Sequence, residues 1–69
     1  MSGTYKIAEI VGTSPKSFAD AVNEGVKRAA KTIRSLGWFE VVEMRGLIKE
    51  GQVAEYQVTV KIGFKLEDA

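Results

Sequence analysis

Sixty-nine residues with ten basic and nine acidic side chains, net charge +1, make one domain, and at this size folding buries only about 60% of the surface an unfolded chain exposes. A balance so near zero does not single out nucleic acid or a membrane surface as partner. With no Cys and no His, disulfide staples, tight zinc sites and the usual nucleophile and proton-shuttle constellations are excluded, which leaves association with further copies as the most available source of added stability. Residues 1 to 15 carry no apolar run between a basic start and a cleavage site. No stretch reaches the roughly 20 apolar residues of a membrane span, so a cytoplasmic soluble protein, a single domain over 1–69, is the expectation.

In chain order, Met1 to Thr4 reads as a polar, mobile start, and Tyr5 to Val11 as a first strand with imperfect alternation. Gly12-Thr13-Ser14-Pro15 predicts a sharp turn into a helix, with Ser14 capping a free N–H and Pro15 at the first helical position. That turn could also hold an anion on its N–H groups, although capping is the simpler use. From Pro15 to Leu36, Phe18, Val22, Gly25, Val26, Ala29, Ile33 and Leu36 recur at three and four, opposite a polar side containing Lys27, Arg28, Lys31 and Arg34. Glu24 and Arg28 form an i,i+4 pair, Gly37 is placed to end the helix, and alanines beside Gly25 leave it slim enough to lie close on a sheet. The basic side reads as a solvated face, since no cluster of exposed aromatics accompanies it to stack bases.

A second strand follows from Trp38 to Lys49, Glu50-Gly51-Gln52 turns the chain, and Val53 to about Leu66 forms the third. This last strand alternates cleanly, with Tyr56, Val58, Val60, Ile62, Phe64 and Leu66 on one face and Glu55, Gln57, Thr59, Lys61 and Lys65 on the other. The expected fold is therefore α+β: strand, helix and hairpin, with the third strand between the other two in an antiparallel sheet packed on one helix. The second strand does not alternate. Phe39 and Val41 take one parity while Trp38, Val42 and Met44 take the other, so it is apolar on both sides. One helix covers one face, and the face holding Trp38 and Val42 calls for other subunits or a ligand.

Trp38, Arg45 and Gln57 are the residues through which a ligand could be held. Pairing around Gly51 brings Arg45 close to Gln57 on the face away from the helix, a guanidinium beside an amide that both donates and accepts. Trp38 adds an indole plane, yet it stands seven residues from Arg45, on the order of 23 Å along an extended strand. A small ligand touches all three only where subunits meet. The simpler alternative is that Trp38 plugs an interface, Gln57 pairs with a neighbour and Arg45 bridges to Glu43 or Glu55. Glu40 and Glu43 are the nearest approach to a carboxylate pair, and they point to opposite faces unless a bulge intervenes.

Val11-Gly12-Thr13-Ser14, Ala21-Val22, Arg28-Ala29, Trp38-Phe39-Glu40-Val41, Arg45-Gly46 and Glu55-Tyr56-Gln57-Val58 resemble, in order and spacing, the pattern of the dodecin family, and the likeness covers nearly the whole chain. The resemblance implies a strand-helix-strand-strand protein that assembles into a hollow homododecamer, binds flavin at subunit interfaces and serves in storage, buffering and photoprotection without turnover. FMN is implied over riboflavin or another flavin, and coenzyme A is a possible second ligand. Trp38 matches the tryptophan that stacks on the isoalloxazine ring, Gln57 the glutamine that bonds its pyrimidine edge, and Arg45 a position near the flavin phosphate. Two readings from other classes stand beside this one: a storage assembly for coenzyme A or another nucleotide, and a flavin-dependent redox enzyme.

Overall fold

The structure, a computed structural model, describes residues 3–67. Met1 and Ser2, half of the polar start, lie outside the described residues. Thr4 is tied down rather than loose, its carbonyl accepting a 2.8 Å hydrogen bond from the Leu66 N–H. The elements are β1 (Tyr5–Ser14), α1 (Phe18–Ala30), β2 (Leu36–Lys49) and β3 (Gln52–Lys65). β3 lies between β1 and β2 and is antiparallel to both, as expected. The hairpin turn is also as expected: Glu50 and Gly51 adopt φ values of 52° and 75°, a left-handed pair of the kind that matches the twist of the flanking strands.

The helix is shorter than its apolar pattern predicts, and both of its ends differ. Ser14 is not the cap. It belongs to β1, paired with Tyr56, and its hydroxyl donates to Asp20 Oδ2 at 2.6 Å while accepting from the Lys16 N–H at 2.9 Å. Pro15 sits in the turn these bonds close. Ser17 caps instead, extended at φ −169°, with Oγ accepting from the Asp20 N–H at 2.9 Å. Ser17-Phe18-Ala19-Asp20 has the spacing of a capping box, the signal for this start. At the other end the turn tightens as the Lys31 N–H reaches the Arg28 carbonyl and the Thr32 N–H the Ala29 carbonyl, and Ser35 takes the left-handed conformation at φ 61°. Gly37 is therefore not the terminator; it lies inside β2. The expected Glu24–Arg28 pair is replaced by an exposed Lys27–Glu24 contact of 3.8 Å, a geometry of little energetic weight.

Thirteen helical residues span only about 20 Å, whereas β2 and β3, of 14 residues each, span on the order of 45 Å. The core is correspondingly small: Ala21 and Ala29 from the helix, Val58, Val60 and Ile62 from the central strand, with Ile10, Phe18, Val22, Val26, Ile33 and Leu36 around them. α1 packs on β1 and β3 and barely reaches β2. Its close seat on β1 depends on two glycines. A side chain at Gly12 would enter the Ala21 carbonyl oxygen and stand 3.3 Å from the Gly25 Cα.

The result is a plate of 52 × 20 × 13 Å with a Cα radius of gyration of 14.2 Å, against about 11 Å for a compact domain of this length. Its accessible surface is 5234 Å², where a folded monomer of this mass shows about 4,200 Å². Large apolar side chains contribute to the excess. Phe39, Val41 and Met44 on the helix side of β2, and Tyr5, Ile7, Val11 and Trp38 on the other side of the sheet, are all about half exposed.

Candidate functional site

Directly paired residues of an antiparallel sheet point the same way, so the register defines the open face. From β1 through β3 to β2 its rows are Ile7, Gly63, Trp38; Glu9, Lys61, Glu40; Val11, Thr59, Glu43; and Thr13, Gln57, Arg45. Trp38, Gln57 and Arg45 thus share one face, the one without the helix.

A bulge makes this possible. In a regular strand Trp38 and Arg45, seven apart, face opposite ways. The ladder slips between Val41 and Glu43, leaving Val42 unpartnered, and every residue after it changes side. Met44, expected beside Trp38, pairs with Val58 and so lies on the helix side with Phe39 and Val41. Glu40 and Glu43, expected on opposite faces of a regular strand, come to the same face. They do not form an isolated carboxylate pair, because Glu40 lies opposite Lys61 and Glu43 is bonded to Arg45.

Arg45 organises one end of the face. Its Nε donates to Gln57 Oε1 at 2.9 Å, and its Nη1 donates to Glu43 Oε1 at 3.0 Å and to Thr59 Oγ1 at 3.2 Å. Gln57 Nε2 donates in turn to Glu55 Oε1 at 2.9 Å. Arg45 bridging to Glu43 and Gln57 pairing with its neighbours is the simpler alternative that the sequence allowed. It also fixes the amide: the carbonyl is turned to Arg45 and the amino group to Glu55, leaving one N–H and one acceptor lone pair for a ligand. Each bond has a charged partner, which strengthens it.

Trp38 organises the other end. The residue is 45% exposed, on the side away from α1, so the helix does not cover it. Tyr5 packs beside it, ring centroids 5.0 Å apart and planes at 53°, and Gly63 lies beneath it. Gly63 and Gln57 are six residues apart on β3, so the indole and the amide of one chain stand about 20 Å apart. That exceeds the length of one flat tricyclic ring. Among the described residues no group of three or more acidic side chains is placed to hold a metal ion.

Tyr5 and Gly63 were not among the residues singled out from the sequence. The signal for Gly63 was available, since it interrupts the polar series Gln57, Thr59, Lys61 and Lys65, and a glycine inside a strand marks close approach by another group. Nothing in the sequence placed Tyr5 near Trp38.

The fold and this open face together define a small one-helix, three-stranded binding protein whose sheet is left unfinished on both sides of β2. A family model described as Dodecin matches residues 4–67, and the chain belongs to the dodecin family, known as small flavin-binding proteins. It is 48% identical to dodecin of Thermus thermophilus over 68 residues, 99% of each chain. It superposes on the structure of dodecin from Streptomyces coelicolor with a TM-score of 0.94 at 51% identity, covering 97% of this chain and 96% of that one. A more distant likeness, TM-score 0.82 and 28% identity over 96% of this chain and 94% of the other, is to the calcium dodecin of Mycobacterium tuberculosis, described as having a novel calcium-binding site. No helix among the described residues is long and apolar enough to cross a membrane.

Proposed function

We propose that this chain binds a flavin, FMN in preference to riboflavin, between copies of itself, and that it sequesters the flavin rather than turning it over. One observation carries the reading: Trp38 and Gln57 lie on the same uncovered face yet too far apart for one ring to meet both within a chain. A second copy brought against that face supplies the missing partner to each, and a two-fold arrangement makes both copies do so equally.

The residues fit the group. Trp38 presents a large apolar plane for an aromatic ring, and Gln57 keeps one donor and one acceptor for a ring edge on which donors and acceptors alternate. Arg45 would face the phosphate side, where its guanidinium is shared with Glu43; a phosphate competes with that carboxylate for the same N–H groups. A bound flavin supplies light absorption and redox capacity. Trp38 in contact with it provides fast quenching, and a ring closed between indoles leaves little access for a substrate. Storage, buffering and protection from flavin photochemistry fit that closure, and membership of the dodecin family supports a homododecamer, proposed here as cytoplasmic, as the assembly that provides it.

The absorption spectrum of the purified protein beside its mass in solution tests the whole reading. A yellow particle many times the mass of one chain is expected; a colourless monomer that takes up no flavin overturns it. Titrating the colourless protein with FMN, riboflavin and coenzyme A separates the nucleotide-storage reading, and steady turnover with an electron donor would reveal a redox enzyme. For Gln57→Ala, flavin affinity should fall by about 1 to 3 kcal/mol, because the ring edge loses its partner. A fluorescence titration giving the unaltered affinity would remove Gln57 from the site.

A further inference from the structure

Trp38 and Tyr5 stand on β2 and β1, with all of β3 between them, yet their ring centroids are 5.0 Å apart. Neighbouring strands are about 4.8 Å apart, so side chains on the two outer strands of three are separated by about 10 Å and an ordinary central residue stands in the gap. Here the central residue facing Trp38 is Gly63. A Cβ on Gly63 would enter three adjacent atoms of the indole's six-membered ring, Cζ2, Cε2 and Cη2. Near-equal approach to three ring atoms means that the Cβ would meet the face of the ring, not its rim. The indole therefore lies across the bare backbone of β3 and meets Tyr5, whose own ring leans over from β1 until its Cε2 is 3.7 Å from where a Cβ on Gly37 of β2 would stand. The ladder beside it is irregular, with a register shift between Leu36 and Trp38.

We propose that Gly63 and Tyr5 are positioning residues for Trp38: Gly63 is the floor on which the indole lies flat and Tyr5 the wall that sets how far it extends and how it tilts. The inference rests on the flavin-stacking reading for its consequence, though the seating of the ring is independent of any ligand. One face of the indole is occupied by the sheet, and the other is held parallel to the open surface before a planar guest arrives. Preorganising a stacking plane in this way removes the rotamer entropy that a free tryptophan would lose on binding. The aromatic ring of Tyr5 does this work, not its hydroxyl.

The test compares Tyr5→Phe, Tyr5→Leu and Gly63→Ala in the assembled protein, with particle mass checked for each. Two readouts are used: near-ultraviolet circular dichroism of the flavin-free protein, which reports the coupled Trp38 and Tyr5 rings, and FMN fluorescence titration. Tyr5→Phe should keep FMN affinity and quenching. Tyr5→Leu should collapse the aromatic dichroism and weaken FMN binding roughly two- to tenfold, the range of one aromatic pair, and Gly63→Ala should weaken it further by lifting the indole off the sheet. Unchanged dichroism and unchanged FMN affinity in both Tyr5→Leu and Gly63→Ala would overturn the proposal. If Gly63→Ala fails to assemble, the Tyr5 pair decides alone. Altered dichroism without any change in FMN binding in the Tyr5 and Gly63 variants would keep the seating and overturn the stacking reading instead, so the two failures are distinguishable.

Discussion

Replacing Trp38 with Ala is expected to abolish most flavin quenching while leaving the mass of the particle largely unaltered. The indole is the only Trp in the chain and lies on the uncovered face. Truncating a buried aromatic anchor at an interface costs at least about 2 kcal/mol, a loss of thirtyfold or more in affinity. Assembly should survive because the apolar surface left open on the plate is spread over both faces, including Phe39, Val41, Met44, Ile7 and Val11, and Trp38 is one contributor among many. A fluorescence titration with FMN, run beside light scattering, checks both halves. Undiminished quenching in this variant would refute the stacking role.

Gly12→Ala should be the most damaging small substitution in the described structure. The added methyl would enter the Ala21 carbonyl oxygen with the Gly25 Cα 3.3 Å away. Both obstacles are backbone, so no rotamer change relieves them and α1 must lift from β1. Overpacking of this kind costs on the order of 3 kcal/mol, against a total stability of about 3 to 10 kcal/mol for a chain of this length. Gly25→Ala faces the same contact from the helix side, but its nearest neighbours stand at 3.2 and 3.3 Å, one of them the side-chain end Ile10 Cδ1, and about 1 kcal/mol is expected there. Denaturant midpoints at fixed protein concentration check the order. A Gly12→Ala midpoint equal to that of the parent would show that the helix is not seated by these glycines.

The architecture was legible because its signals are local and strong. β3 alternates without a break, Glu50-Gly51 names its own turn, and placing the third strand between the other two makes the whole sheet antiparallel. The helix ends were less legible. Ile33 and Leu36 continue the apolar spacing after the hydrogen-bond ladder has stopped, since a residue packs on the core from a loop as well as from a helix; both still pack on it. Ser14 has the chemistry of a cap but spends it on Asp20 and Lys16, three residues before the true cap. Within the site, the Arg45–Gln57 pairing could be read from the hairpin turn, and Trp38 from its outward parity. That the two share a face could not be reconciled by alternation, because the phase change at Val42 leaves no mark in composition. A valine among valines looks the same whether it is paired or bulged.

The shortness of α1 carries a last consequence. A helix whose first residue, Phe18, packs on Tyr56 ends about 13 Å short of the hairpin turn and gives the outer reach of β2 and β3 no shelter of its own, so whatever shelters it must come by encounter. For such a molecule dilution acts like a mild denaturant. Its hold on a guest and its own folded state would then weaken by the same law of mass action.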